Sequence, residues 1–193
     1  MIECYQATRL ANTPAGLRRR YPPGMSSIDL RRLGLRPGEV RSERLDVELE
    51  PFLLGGQRYE AHPETVPVDV EITQASDTTV FDLRLRARLA GPCMRCLGYA
   101  EVEVDATARE FYDPSAPPAD VLRSDYVVDD RLEVGAWARD AIGLALPEQI
   151  LCRPECAGLC PVCGKDLNAE PHEHTERNVD PRWAALEELR DRL

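Results

Sequence analysis

Apolar and polar positions alternate with a period of two along much of the middle of the chain. Leu45, Val47 and Leu49 alternate with Asp46, Glu48 and Glu50; Val66, Val68, Val70 and Ile72 with Pro67, Asp69 and Glu71. Leu83, Leu85, Ala87 and Leu89 alternate with Arg84, Arg86 and Arg88, and Ala100, Val102, Val104, Ala106 and Ala108 with Glu101, Glu103, Asp105 and Thr107. A strand turns successive side chains to opposite faces, so each segment predicts a strand with one apolar face, and together they predict an antiparallel sheet wetted on one side. Gly55-Gly56 marks a turn, residues 113–120 a loop, and Tyr126-Val127-Val128 a short strand.

The period changes between Leu132 and Leu146, where Val134, Trp137, Ala141 and Leu144 fall on one side of a predicted helix that Pro147 ends. A second helix is expected at the C-terminus, with Asp180 as N-cap and Pro181 as first helical residue. Residues 1–24 carry Pro14, Gly16, Pro22, Pro23 and Gly24 and no sustained period, so they read as a flexible arm containing Arg18-Arg19-Arg20. The expected organisation is an α+β chain in three parts. The arm is 1–24. An antiparallel β domain with one helix follows over 25–150, its sheet open or curled towards a barrel. A Cys/His-rich metal-binding segment with the terminal helix completes the chain over 151–193.

A chain of 193 residues suits one domain of ordinary size with a small appendage. It has no apolar stretch long enough to span a bilayer and no secretory signal at its N-terminus, so a cytoplasmic protein is expected. The net charge of −10 argues against nonspecific nucleic-acid binding by the whole surface. The charge is uneven, however. Residues 1–44 hold nine Arg against Glu3, Asp29, Glu39 and Glu43, a net of +5, which leaves −15 for the remainder. Any polyanion contact would centre on Arg18, Arg19, Arg20, Arg31, Arg32 and Arg36, with Arg95 as an outlying candidate; the alternative is a solvated basic arm.

Seven cysteines in a reducing compartment point to ligands or redox groups rather than disulfides. Cys93-Met94-Arg95-Cys96 lies between two alternating segments, at a hairpin tip. Cys160-Pro161-Val162-Cys163-Gly164 has the form of a zinc knuckle, in which the glycine eases the bend that turns both sulfurs inward. Cys152 and Cys156 stand upstream of the knuckle, His172 and His174 downstream. With Cys4 set aside, six cysteines and two histidines suffice for two four-ligand zinc sites. The favoured partition is Cys93, Cys96, Cys152 and Cys156 in one, Cys160, Cys163, His172 and His174 in the other. The rival partition groups Cys152, Cys156, Cys160 and Cys163 around one ion and leaves Cys93 and Cys96 free.

Four protein ligands leave no open coordination position, so one or two structural zinc ions and no enzymatic activity are expected. A thiol oxidoreductase would want its first cysteine at a helix N-terminus, and a strand follows Cys96 instead. A catalytic zinc needs an open position and usually a general base, and the remaining histidine, His62, sits in a loop beside Pro63. Nucleophile elbow, P-loop and dinucleotide fingerprint are all missing from the sequence.

Arg84, Arg86 and Arg88 share one strand face and could meet RNA. If Cys93 lies opposite Cys96, they face Asp105, Glu103 and Glu101 and are neutralised across the strands.

The chain resembles the YceD-like family, the large ribosomal RNA subunit accumulation proteins. The resemblance rests on Ser27-Ile28-Asp29-Leu30, Cys93-Met94-Arg95-Cys96-Leu97, Leu144-Ala145-Leu146-Pro147, Leu151-Cys152, the run from Cys156 to Gly164, Asp166-Leu167-Asn168 and Asp180-Pro181-Arg182-Trp183. It covers residues 25–193. Many members carry Cys-x-Cys where this chain has His172-Glu173-His174, and both residue types ligate zinc. The resemblance implies a part in accumulation or maturation of large-subunit ribosomal RNA, hence in ribosome assembly. The implied partners are ribosomal RNA, large-subunit ribosomal proteins or both, with no membrane and no small-molecule substrate.

Overall fold

The computed structural model describes residues 19–20, 27–117 and 120–174. Cys4, Arg18 and the terminal helix expected from Pro181 lie outside the described residues.

The strands are β1 (Arg19–Arg20), β2 (Ser27–Asp29), β3 (Val40–Glu48), β4 (Phe52–Leu54), β5 (Gln57–Ala61), β6 (Thr65–Ala75), β7 (Thr78–Pro92), β8 (Tyr99–Tyr112), β9 (Val127–Val128) and β10 (Arg131–Glu133); the helix is α1 (Val134–Ala145). The main sheet runs β3-β6-β7-β8, antiparallel throughout. β1 lies parallel along β3. β5 takes over the edge of β7 beyond the end of β6, pairing Glu60 with Ala90 and Ala61 with Leu89, and β4 pairs with β5. β2, β10 and β9 form a second, three-stranded sheet. The four alternating segments are β3, β6, β7 and β8, and their apolar positions form the core; Leu45, Val68, Ile72, Phe81 and Leu89 are fully buried.

The strands do not close into a barrel among the described residues. The apolar face is instead covered by α1, which packs on β8, β7, β3 and β2, so the sheet need not roll onto itself. Trp137 meets Phe81 edge-on, with ring centroids 6.5 Å apart, and stacks on Tyr126 at 6.1 Å. Burying an aromatic side chain of this size contributes about 3 kcal/mol. Val134, Trp137, Ala138, Ala141 and Ile142 form the buried stripe of the helix. Leu144, expected on that stripe, is 90% exposed: among the described residues the last turn of α1 turns it away from the buried side formed by Val134, Trp137, Ala138, Ala141 and Ile142. No helix among the described residues is long and apolar enough to cross a membrane.

The hairpin register differs from expectation by two residues. Arg84 faces Thr107, Arg86 faces Asp105 and Arg88 faces Glu103. The reason lies in the tip: β7 ends at Pro92 opposite Tyr99, and the Cys93 N–H donates to the Gly98 carbonyl at 2.6 Å, so the loop is wider than a closure at Cys96 would make it. Neutralisation of two arginines survives the shift. Arg86 bonds Asp105 at 2.7 Å and Arg88 bonds Glu103 at 2.6 Å, exposed pairs worth about 0.2–1 kcal/mol each.

Candidate metal centres

The wide tip presents its two thiols towards the chain that leaves α1. After Leu97 N–H bonds the Cys93 carbonyl at 3.0 Å, the backbone turns through Leu97 at φ +63°. Beyond Pro147 the chain returns alongside: Met94 N–H donates to the Ile150 carbonyl at 2.9 Å, and Ile150 itself is buried. Arg95 fastens the joint, with its guanidinium on Gln149 Oε1 at 3.0 Å and on the Cys156 carbonyl at 3.1 Å. The Leu159 N–H closes onto the Arg95 carbonyl at 3.1 Å. Gly158 crosses so near Arg95 that an added Cβ would lie 3.1 Å from that carbonyl, and its φ of +76° independently favours glycine.

This joint gathers Cys93, Cys96, Cys152 and Cys156, their sulfurs all within 4.8 Å of one another. Cys93 Sγ is 3.8 Å from Cys156 Sγ, and Cys96 Sγ is 3.7 Å from Cys152 Sγ, so neither pair is a disulfide. Cys93 and Cys156 are buried, Cys152 exposed and Cys96 between the two. From outside the cluster the Arg95 N–H bonds Cys93 and the Asn168 amide bonds Cys156, each at 3.5 Å. Asn168 also accepts from the Ala157 N–H at 2.8 Å, and its amide is fixed by Asp166.

The second group is Cys160, Cys163, His172 and His174, with donor atoms again within 4.8 Å. Here the Gly164 N–H bonds the Cys160 carbonyl at 2.8 Å and the Cys160 N–H bonds the Lys165 carbonyl at 2.8 Å. His172 Nε2 lies 3.1 Å from Cys163 Sγ, while its Nδ1 is 2.7 Å from the Glu170 carbonyl. A carbonyl can only accept, so Nδ1 carries the hydrogen and leaves the Nε2 lone pair for a ligand. The two groups have the same members as the favoured partition. Cys152 and Cys156 join the hairpin thiols rather than Cys160 and Cys163.

The local fields divide the thiols, lowering some and raising others. At Cys93 burial opposes ionisation, but the backbone N–H groups of Cys96, Arg95 and Cys152 outweigh it and hold the thiol down to about 6. At Cys160 the Cys163 N–H leads in lowering the thiol to about 6 against burial. Cys152 is pushed up to about 12, first by burial and then by its neighbouring thiols. His172 is raised, first by the Glu170 carbonyl and then by Cys160. Both groups can hold a metal ion, and soft sulfur with imidazole suits a late or borderline transition metal rather than magnesium or calcium.

The predicted arginines fare differently. Arg31 pairs with Asp130 at 2.6 Å and Arg32 with Asp29 at 3.2 Å, so both are partly neutralised. Arg36 is exposed on the turn before β3. Arg19 and Arg20 form β1, and Arg95 serves the joint just described. Sequence reasoning missed Gln149, Gly158, Asn168 and the Glu170 carbonyl, which support the ligands. Asp166-Leu167-Asn168 stood out as a motif, but nothing in it announced a bond to Cys156.

Comparison with known proteins adds a family. The family model described as "Large ribosomal RNA subunit accumulation protein YceD" matches residues 81–190, a span that includes all eight cluster residues. An uncharacterized protein of Mycobacterium tuberculosis is 31% identical over 175 residues, covering 88% of this chain and 84% of that protein. An uncharacterized protein of Mycobacterium leprae is 26% identical over 174 residues, 84% of this chain and 76% of that one. The uncharacterized protein YlbN of Bacillus subtilis is 30% identical over 125 residues, 63% of this chain and 69% of that one. No solved structure matches.

Proposed function

This chain belongs to the YceD family of large ribosomal RNA subunit accumulation proteins, and from that membership we propose that it is a noncatalytic factor for accumulation of large-subunit ribosomal RNA, held in shape by two structural zinc ions. The observation that carries the metal half is the pair of complete four-donor sets. A tetrahedral zinc with bonds of about 2.3 Å to sulfur separates its sulfurs by about 3.8 Å. The two pairs measured in the first set, 3.7 and 3.8 Å, fit that edge. Zinc there would clamp the hairpin tip to the chain leaving α1, and zinc at the second set would close the loop from Cys160 to His174. With four protein ligands per ion, neither metal keeps a position for substrate, which supports a structural rather than a catalytic role.

A basic protein partner is the second reading, favoured by one surface. A groove of about 490 Å³ is lined by Asp46, Glu48, Glu50, Glu60 and Glu64, with Arg58 its basic member. Its charge suits a basic large-subunit protein better than RNA.

Depletion of the protein in its host tests the proposal. Large-subunit ribosomal RNA should fall relative to small-subunit RNA, and the affinity-purified chain should sediment with large-subunit precursors. An unchanged RNA ratio, with the chain co-purifying with RNA polymerase, would overturn it in favour of a zinc-ribbon-type interaction module of a transcription complex. Metal-free protein that turns over a dithiol substrate would favour a thiol oxidoreductase.

A further inference from the structure

The two halves of the first thiol cluster differ in exposure, and that difference assigns them different chemistry. Cys93 is fully buried and Cys156 is 2% exposed, whereas Cys152 is exposed and Cys96 partly so. The two accessible thiols are also neighbours, with Cys96 Sγ 3.7 Å from Cys152 Sγ across a span of 56 residues. At the second cluster the exposed thiol, Cys163, has His172 Nε2 beside it at 3.1 Å, and its companion thiol Cys160 is buried.

We propose that Cys96 and Cys152 are a peroxide-reactive pair: oxidation joins them in a disulfide, releases the metal of the first site, and leaves the hairpin tip covalently fastened where the metal had held it. The proposal rests on the zinc reading above for the metal it releases. A thiolate attacks the peroxide, so an S–O bond forms at Cys96, the O–O bond breaks, and hydroxide leaves as water after taking a proton. The Cys152 sulfur, deprotonated as a ligand on the zinc reading, then attacks the sulfenic sulfur, forming the S–S bond as the S–O bond breaks and the departing hydroxide takes a proton to leave as a second water. In balance, two thiolates, one hydrogen peroxide and two protons give one disulfide and two waters, with two electrons passing from sulfur to oxygen. The metal keeps only Cys93 and Cys156 and is lost.

Geometry also separates this pair from the cysteines nearer in sequence. Cys93 and Cys156 are shielded from an oxidant arriving from solvent, although they are no further apart than ordinary cluster neighbours. The new bond would bridge the same two segments that are paired by Met94 N–H with the Ile150 carbonyl and by Leu159 N–H with the Arg95 carbonyl. Oxidation would therefore exchange one clamp for another instead of opening the joint.

The test treats the full zinc-loaded chain with hydrogen peroxide, follows released metal with a chromophoric chelator, and maps cross-links after digestion with trypsin and a glutamate-specific protease. These enzymes cut after Arg95, Glu101, Glu148 and Glu155, so Cys93, Cys96, Cys152 and Cys156 fall in four different peptides. The expected product joins peptide 96–101 to peptide 149–155, with one zinc released per cross-link and return of the metal on reduction with added zinc. The metal-free, oxidised chain should resist limited proteolysis at residues 149–156, whereas the metal-free, reduced chain is cut there. A first cross-link between Cys93 and Cys96 or between Cys160 and Cys163 would overturn the proposal, as would overoxidation with no cross-link. Cys152→Ser should abolish the 96–101 cross-link to peptide 149–155 and drive Cys96 to the sulfinic acid; unchanged kinetics of metal release in that variant would also overturn it. Failure of the zinc reading looks different, since the untreated chain would then carry no metal while the peptide map still reports which thiols join.

Discussion

The two CxxC knuckles share one hydrogen-bond pattern and differ in the residue that follows the second cysteine. In each, the residue after the second cysteine donates to the carbonyl of the first, and the first cysteine's N–H bonds a carbonyl five residues on. That pattern needs a left-handed residue after the second cysteine. The knuckle at Cys160 places Gly164 there at φ +74°, where glycine is unstrained; the hairpin-tip knuckle places Leu97 there at φ +63°. A leucine in that region costs about 1–2 kcal/mol. The hairpin tip tolerates this because long-range bonds to Ile150, Gln149, Cys156 and Leu159 hold it from outside. The second knuckle relies on bonds within its own loop and on its ligands. The same turn is thus built once by tertiary contacts and once by local residue choice.

Metal removal should break this comparison most completely. Structural zinc supplies about 10–16 kcal/mol of apparent binding energy in isolated zinc-finger peptides. Chelation should open both knuckles to protease between residues 149 and 174 while circular dichroism retains the strand signal. Retention of protease resistance would show that the joint stands without metal.

Proton release should distinguish the sites next. Cys96 and Cys152 are raised in the metal-free cluster, so both still carry protons at pH 8 and must lose them to bind metal, whereas Cys93 at about 6 is already ionised. A raised pKa lets protons compete up to higher pH, so affinity at the first site should climb about tenfold per pH unit for each proton displaced. His172, also raised, makes the second site lose metal as pH falls through the imidazole range. Calorimetric titration in buffers of different ionisation enthalpy counts the protons; none released at pH 8 would refute the assignment.

Asn168→Ala should weaken metal at the first site by about 10–100-fold, the usual effect of removing a group that supports a ligand, although the residue lies beside the second knuckle. Competition with a chromophoric chelator reads this, and an equal loss at the second site would place Asn168 in the wrong role. Smallest are the backbone swaps. Leu97→Gly should stabilise the tip by about 1 kcal/mol and Gly164→Ala should destabilise the second knuckle by about as much, both measured by thermal unfolding of the metal-loaded chain.

Much of this was legible along the chain. Alternation alone located β3, β6, β7 and β8, because their half-buried faces impose period two. Ligand count favoured grouping Cys152 and Cys156 with the hairpin tip but left their grouping with Cys160 and Cys163 open, because spacing along the chain does not say which segment the turn after α1 meets; the fold gathers the first set. The β4–β5 hairpin showed only as its Gly55-Gly56 turn, since three- and five-residue strands carry too little pattern. The pairing of β2 with β10 and the register of β7 with β8 were hidden for another reason. The first pairs residues about a hundred positions apart, and the second depends on how widely the tip loop opens. Asn168, Gln149 and Gly158 matter through chain crossings that local pattern does not encode.

Two separate four-ligand sites should each hold one metal ion. Metal content per chain, measured by elemental analysis on protein purified without chelator, tests it directly when wild type is compared with Cys93→Ser/Cys96→Ser. Two zinc ions are expected in the wild type and one in the variant. A wild type without metal, or a single ion that survives the double substitution, would contradict that expectation.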